Sequence, residues 1–269
     1  MTELIPMLLT LMAVGALAGV LAGLLGVGGG IVLVPAFLWL FTAMGYHSDQ
    51  IMQVCLATSL ATIIVTSLRS VLAHHRKGAV DWTVIRTWAP GIMIGALIGV
   101  MVVARLRTPT LQAIFGVMVL LIAAYMAFGR KDWRLWAAMP GGIVRAVWSA
   151  SIGFLSVLLG IGGGSLAVPT MTLSGVAMHR AVATAAGFGV AIALPSVLAF
   201  LLVKVPEAPP YTIGAVNLPA FGVVIAMTLI TAPWGAALAH RTDAARLKRV
   251  FAGFLALVAL NMLRKVIWG

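Results

Sequence analysis

Long apolar runs, separated by short polar interruptions, follow one another along the whole chain. Runs of about 17–25 apolar residues match the length of helix that crosses about 30 Å of hydrocarbon. The pattern therefore predicts a polytopic, all-α membrane protein. Its ten apolar segments cover residues 4–25, 29–44, 51–73, 82–104, 111–128, 143–159, 164–178, 181–203, 215–239 and 247–267.

Two of these segments, at residues 29–44 and 164–178, are shorter than the others, and each follows a glycine-rich phrase. The phrase reads "GVGGG" before the first short segment and "GIGGG" before the second, and each time a proline stands five residues further on, at Pro35 and Pro169. Because of their length, we expect the short segments to be re-entrant or barely to cross the membrane.

The repeated phrase is part of a longer repeat. "LATSLA" from Leu56 matches "VATAAG" from Val182, and "GAVD" from Gly78 matches "GAVN" from Gly214. Such self-similarity indicates a duplicated chain. We predict a first transmembrane repeat at residues 1–128, a cytoplasmic linker at 129–142 and a second transmembrane repeat at 143–269.

The distribution of positive charge predicts how the two halves are oriented, because cytoplasmic loops collect Lys and Arg. If each half has an odd number of crossings, the second half lies upside down, and most of the 18 Lys and Arg residues fall on one side. Four crossings per half would divide them more evenly. We therefore expect two inverted repeats of about five hydrophobic segments each, with the second segment of each half short or re-entrant and both termini outside.

The amino-acid composition and the charge exclude several classes of partner and site. Hydrophobic residues make up 62% of the chain and charged residues 9%, and the net charge is +12. Lys and Arg lie mostly in short loops between apolar runs, where they orient the protein and contact anionic lipid, so no nucleic acid is expected as a partner. The single cysteine, Cys55, excludes an intrachain disulfide and a cysteine-built metal site. We expect no metal and no cofactor.

The acidic residues are absent from the predicted segment centres. All six lie at predicted ends or in loops, so none is placed to bind Na⁺ or relay protons near the midplane. They are Glu3, Asp49, Asp81, Asp132, Glu207 and Asp243.

The glycine phrases are the candidate substrate site. Irregular backbone within lipid persists only where it is buried in protein or lines a wet cavity. A helix that starts after such a break offers free N–H groups and about half a positive charge, which suits an anion. Hydroxyl groups near the breaks add further donors. The predicted substrate-binding residues are Gly28, Gly29, Gly30, Thr58, Ser59, Gly162, Gly163, Gly164, Ser165 and Thr184.

Two further roles are assigned to Gly and Pro. Pro35 and Pro169 each remove one backbone donor inside a short helix and are the predicted hinges. An alternative for the glycines is close helix packing. We expect that role for two series at a spacing of four, namely Gly15, Gly19 and Gly23, and Gly91, Gly95 and Gly99.

At these residues the chain resembles the sulfite exporter TauE/SafE family of bacterial membrane transporters. The resemblance covers nearly the whole length: each half has "G[VI]GGG", an apolar run, a proline and then "AT", at Ala57–Thr58 and Ala183–Thr184. It implies outward movement of small sulfur-containing anions, such as sulfite or organosulfonates, across the bacterial inner membrane. Ile31 stands opposite Ser165 and Ser59 opposite Ala185, so the half-sites differ and the exact substrate stays open.

Together these features predict a secondary transporter that exports small sulfur-containing anions by alternating access around a central site. It would be a multi-pass protein of the inner (plasma) membrane with both termini periplasmic. Its expected partners are a small anionic substrate and membrane lipid, and a homodimer is left open. The alternatives are an anion channel and a carrier of another small organic anion. No catalytic residue is assigned and no enzyme is expected, because His, Asp, Glu and Cys do not converge in the sequence.

Overall fold

The structure is a computed structural model, which describes residues 4–25, 29–128, 136, 138–239 and 244–268. Helices dominate it. Their bounds are α1 Leu4–Leu25, α2 Gly30–Ala43, α3 Ile51–Arg76, α4 Trp82–Val103, α5 Thr108–Phe128, α6 Gly142–Leu158, α7 Gly164–Leu173, α8 Met178–Phe200, α9 Leu218–Ala239 and α10 Ala244–Trp268.

These helices bear out the prediction of a helical membrane protein. Six described helical stretches are long and apolar enough to cross a bilayer, namely α3, α4, α5, α8, residues 218–235 and residues 249–268. The two segments predicted to be short are short: α2 has 14 residues and α7 has 10. Each contains a proline within its helix, Pro35 in α2 and Pro169 in α7.

One small sheet interrupts the helices. Strands β1 (Thr212–Ile213) and β2 (Val216–Asn217) pair antiparallel in the loop between α8 and α9. Gly214, between the strands, has a φ of 60°, a left-handed conformation that glycine adopts without a Cβ clash. The apolar pattern did not predict this hairpin, because two-residue strands leave no detectable periodicity.

In two helix pairs, glycine residues allow the helices to pack closely against each other. In the pair formed by α1 and α9, Gly15 lies against Val224 and Gly19 lies against Thr228. The later glycine meets the later residue, so the two helices run in the same direction. The hydroxyl of Thr231 in α9 also donates to the carbonyl of Ala16, at 3.0 Å.

The pair formed by α4 and α6 is built in the same way. Gly91 lies against Ser149, Gly95 against Ala150 and Gly99 against Val157, so these helices also run in the same direction. The packing role expected for Gly15, Gly19, Gly91, Gly95 and Gly99 is thereby confirmed, while the surroundings of Gly23 lie outside the described part of the chain.

Helices α3 and α8 form the centre of the molecule and run in opposite directions. Gly187 in α8 lies against Val71 in α3, whereas Gly189 lies against Ser67 and Ile63. Both helices are largely buried: every residue of α3 from Ile51 to Ile63 is buried. Helices α5 and α10 form a further pair, and α5 also contacts α3.

The packing pattern is unchanged when the two halves are exchanged. Exchanging α1–α5 with α6–α10 turns the α1/α9 pair into the α6/α4 pair, and it leaves the α3/α8 and α5/α10 pairs as they are. A duplicated chain would produce this pattern.

We predict that Gly95→Ala destabilises the protein. The added methyl group would collide with the backbone of Ala150, and overpacking of this kind costs typically about 1–3 kcal/mol. Gly222→Ala is the matched control, since nothing lies within 4 Å of a Cβ at this position of α9. Thermal unfolding in detergent is the measurement. We expect a lower midpoint for Gly95→Ala alone, and equal midpoints would contradict the packing role.

Candidate functional site

The second glycine phrase forms a buried break between α6 and α7. Helix α6 ends at Leu158, and Gly160 adopts a left-handed φ of 57°. The N–H of Ile161 donates to the carbonyl of Ser156 and the N–H of Gly160 to that of Val157, both at 3.0 Å. These two bonds are a Schellman ending, which satisfies the last carbonyls of α6. The break is therefore an ordered turn with most of its backbone enclosed by protein.

The first glycine phrase lies against this break. Gly29 has a φ of 69° and precedes α2. A Cβ on Gly30 would lie 2.5 Å from the carbonyl oxygen of Gly160 and 3.1 Å from Cα of Ile161. The two breaks are therefore in direct contact in the described residues. Gly28 lies outside the described part of the chain.

The start of α7 is buried and has no side-chain cap. Its first residue follows Gly163, and no side chain caps the helix. The first backbone hydrogen bond at the start of α7 runs from the N–H of Ala167 to the carbonyl of Gly163, at 2.8 Å. The N–H groups of Gly164 and Ser165 precede it and have no partner within the helix. Together with the helix dipole, such groups favour an anion.

The glycines of the second break have different surroundings. A Cβ on Gly163 would lie 2.7 Å from Cβ of Phe188 and 3.2 Å from the nitrogen of Gly189. Close packing on α8 therefore accounts for glycine at this position. Gly162 has more room, since its Cβ would meet Ile63 at 3.3 Å. Gly162 is thus the position at which a side chain tests ligand binding with least damage to packing.

Three of the four predicted hydroxyl ligands are engaged by the protein. The Oγ1 of Thr58 accepts the backbone N–H of Asn217, and that of Thr184 accepts the backbone N–H of Asp81, each at 3.0 Å. The hydroxyl of Ser59 donates to the carbonyl of Gly160 at 2.7 Å. Each bond joins one sequence half to the other, so these side chains have a structural role that the sequence analysis did not predict.

Asp81 and Asn217 are also the caps of the helices that follow them. The carboxylate of Asp81 accepts the N–H groups of Thr83 and Val84 at the start of α4. The side-chain oxygen of Asn217 accepts the N–H of Ala220 in α9. An oxygen in this position satisfies N–H groups of the first turn. The "GAVD" and "GAVN" sequences therefore mark two equivalent helix starts, each bound to a threonine of the other half.

Ser165 is the exception among the four hydroxyls. It is 7% exposed, and its Oγ has no hydrogen-bond partner in the described residues. Ser156, in the last turn of α6, is fully buried, and its Oγ also has no partner there. Ser156 is not among the predicted site residues, because a serine inside an apolar helix normally bonds to the preceding turn and gives no functional signal. The two hydroxyls stand on either side of the second break.

The buried polar side chains around the breaks carry no formal charge. Across the described residues, the buried polar side chains are those of Ser, Thr, Gln and Asn. Asp49, Asp81 and Glu207 lie outside the helices, while Glu3, Asp132 and Asp243 are outside the described part of the chain. No group of three or more His, Cys, Asp or Glu residues that could hold a metal ion occurs in the described ranges.

The two predicted hinge prolines lie beyond the breaks. Pro169 has no N–H and so leaves the carbonyl of Ser165, one turn earlier, without its usual partner. Pro35 lines an apolar cleft of about 240 Å³ between α1, α2 and α10, together with Trp39 and Lys265. This cleft is on the flank of the molecule and is separate from the glycine breaks. Bending at either proline stays a prediction.

We predict that Thr184→Val destabilises the protein more than Thr184→Ser does. Valine has a similar shape but cannot accept the N–H of Asp81, and a partly buried donor without a partner costs about 1–3 kcal/mol. Serine keeps the oxygen and is the control. Midpoints of thermal unfolding for the two variants, and for the equivalent Thr58 pair, provide the measurement. A valine variant as stable as the serine variant would show that the bond to Asp81 contributes nothing.

Comparison with known proteins gives a consistent result over nearly the whole chain. A probable membrane transporter protein of Haemophilus influenzae is 32% identical over 260 residues, which covers 96% of this chain and 98% of that protein. The probable membrane transporter protein YunE of Bacillus subtilis is 34% identical over 182 residues, 61% of this chain and 66% of that protein. A probable membrane transporter protein of Methanocaldococcus jannaschii is 24% identical over 269 residues, 97% of each chain.

No solved structure shows a significant match to the chain. The sequence profile described as "Sulfite exporter TauE/SafE" matches residues 11–262, a range that includes both glycine breaks, both "AT" sequences and all ten helices in whole or in part. The similarity thus extends over the candidate site as well as the helices around it. This protein is a membrane transporter of the sulfite exporter TauE/SafE family.

Proposed function

We propose that this protein is a secondary transporter that exports small sulfur-containing anions, such as sulfite or organosulfonates, by alternating access around a central site. The observation that carries the proposal is the contact between the two glycine breaks, next to the uncapped start of α7 and the unpartnered hydroxyl of Ser165. Buried N–H and O–H donors without acceptors create a demand for an acceptor from outside the chain. A small oxyanion meets that demand.

The substrate class follows from charge and from the family. The described buried polar groups are neutral, which leaves no acidic side chain there to bind a coupling cation. Helix starts and hydroxyls stabilise negative charge without a buried Lys or Arg. The family is named for sulfite export. The names of the three relatives say only that they are probable membrane transporters. Sulfite is therefore the first substrate to test.

We propose further that the two halves are inverted repeats. The antiparallel course of α3 and α8, and a packing pattern that survives exchange of the halves, support this arrangement. Inverted repeats are common in secondary transporters, where substrate sites lie at the repeat interface near the midplane. The location proposed is the bacterial inner membrane, with the basic side at residues 74–77 and Arg180 in the cytoplasm, and both termini in the periplasm.

Transport by the purified protein in liposomes tests the function. We expect uptake of labelled sulfite and of a labelled alkanesulfonate to saturate, and unlabelled substrate inside the vesicles to accelerate it. Gly162→Leu should lower the flux about tenfold or more, because its side chain would displace an anion from charge-assisted bonds worth about 1.5–3 kcal/mol. Gly253→Leu is the control, since nothing lies within 4 Å of a Cβ at this position.

Three results would argue against this assignment. Currents that rise linearly with voltage and show no countertransport would identify a channel. Equal flux through the parent protein and Gly162→Leu would show that the glycine breaks are not part of the substrate site. Transport of other organic anions without any sulfur oxyanion would change the substrate class.

Labelling of introduced cysteines tests the inverted arrangement. Lys77 and Lys204 are both exposed, at the ends of α3 and α8, and the native cysteine Cys55 is fully buried. We expect a membrane-impermeant maleimide to label Lys204→Cys in intact cells, and Lys77→Cys only after permeabilisation. The parent protein controls for Cys55. Labelling of both positions from the same side would indicate parallel halves.

A further inference from the structure

In the part of the chain that the structure describes, the buried hydroxyl groups without a partner lie beside the second break. The buried side-chain atoms without a hydrogen-bond partner in the described residues are Oγ of Ser156, Oγ of Ser165 and Oε1 of Gln53. Gln53 is engaged elsewhere: its amide nitrogen donates to the carbonyls of Val103 and Leu106, at the end of α4. The two free hydroxyls therefore both belong to the α6–α7 break.

The first half does not repeat this arrangement. Positions 134 residues before Ser156 and Ser165 hold Ala22 and Ile31, which carry no polar side-chain atom. The hydroxyl of Ser59, in α3, is already bound to the carbonyl of Gly160. Among the described residues of the two breaks, only the second break therefore has spare side-chain donors.

The available positive potential is limited to the helix starts. A helix start is equivalent to about half an elementary charge, and two of them, at α2 and α7, lie next to the contact between the breaks. Their sum is about one charge. No Lys, Arg or His is among the buried side chains of the described residues. A single negative charge is therefore matched, and a second one would be buried without compensation.

We infer that the second break binds one singly charged oxyanion, held by the hydroxyls of Ser156 and Ser165, and that it discriminates against dianions. This inference rests on the proposed transport function and specifies its substrate class. The cost of removing an ion from water grows with the square of its charge, so it is about four times greater for a dianion of equal size. Hydrogensulfite and alkanesulfonates fit the site, whereas sulfate, thiosulfate and the sulfite dianion do not.

The charge selectivity is tested with methanesulfonate and sulfate, at equal concentration, in liposomes that contain the parent protein. We expect methanesulfonate flux to exceed sulfate flux at least tenfold. Sulfite flux should rise as the pH falls through neutrality, because protonation converts the dianion into hydrogensulfite. Protein-free liposomes correct for passive permeation of sulfur dioxide. Sulfate flux equal to or above that of methanesulfonate overturns this inference and leaves the transport function intact, whereas absence of flux for every anion overturns both.

The two hydroxyls are tested with alanine variants. Ser156→Ala and Ser165→Ala should each raise the KM for methanesulfonate about tenfold, the equivalent of one lost charge-assisted hydrogen bond. Neither should lower the midpoint of thermal unfolding, because each removes a buried group that has no partner within the protein. Ser196→Ala is the control: Ser196 is equally buried, but its hydroxyl donates to the carbonyl of Ile192 at 2.6 Å. Its KM should stay unchanged. Unaltered KM values in both test variants would overturn the assignment of the hydroxyls.

Discussion

A broken helix inside hydrocarbon must find partners for the backbone groups that the break releases, and the architecture of this protein follows from that constraint. Lipid provides no such partners, so the break has to be enclosed by other parts of the chain. Here the turn at Gly160 is closed by its own Schellman bonds, by the hydroxyl of Ser59 and by the start of α2. The second break is enclosed by α3 of the first half and by α8 of its own half, which explains why α3 and α8 occupy the centre.

Glycine serves two physical purposes that the sequence distinguishes only in part. Evenly spaced glycines in long helices were expected to allow close packing, and Gly15 and Gly95 do so. The consecutive glycines of the phrases were expected to end and start helices, and Gly29 and Gly160 do so through positive φ angles. Gly163 combines both, because it precedes α7 and also packs on Phe188. Its surroundings depend on a helix that is distant in sequence, so its packing role was not predictable locally.

The helices and the two breaks were predictable because hydrophobic periodicity, length and glycine content are local properties. The partners of the hydroxyls were not, since they depend on which helices meet. Thr58 and Thr184 were expected to bind substrate on the basis of their position in the repeat, and the structure adds backbone partners from the opposite half. Ser156 has no equivalent in the first half and no motif around it, and its distinguishing feature is a buried hydroxyl without a partner in the described residues, which the sequence does not reveal. The β1–β2 hairpin was too short to detect.

The glycine contacts of α1 with α9 and of α4 with α6 determine which helices approach each other most closely. Each of these pairs takes one helix from either half of the sequence, and in each pair the backbone of one helix lies against backbone or Cβ atoms of the other. Each of these closely packed pairs is therefore made of helices from both halves of the sequence. A chain divided between α5 and α6 would separate the partners of both pairs, so neither half alone contains either of these two interfaces.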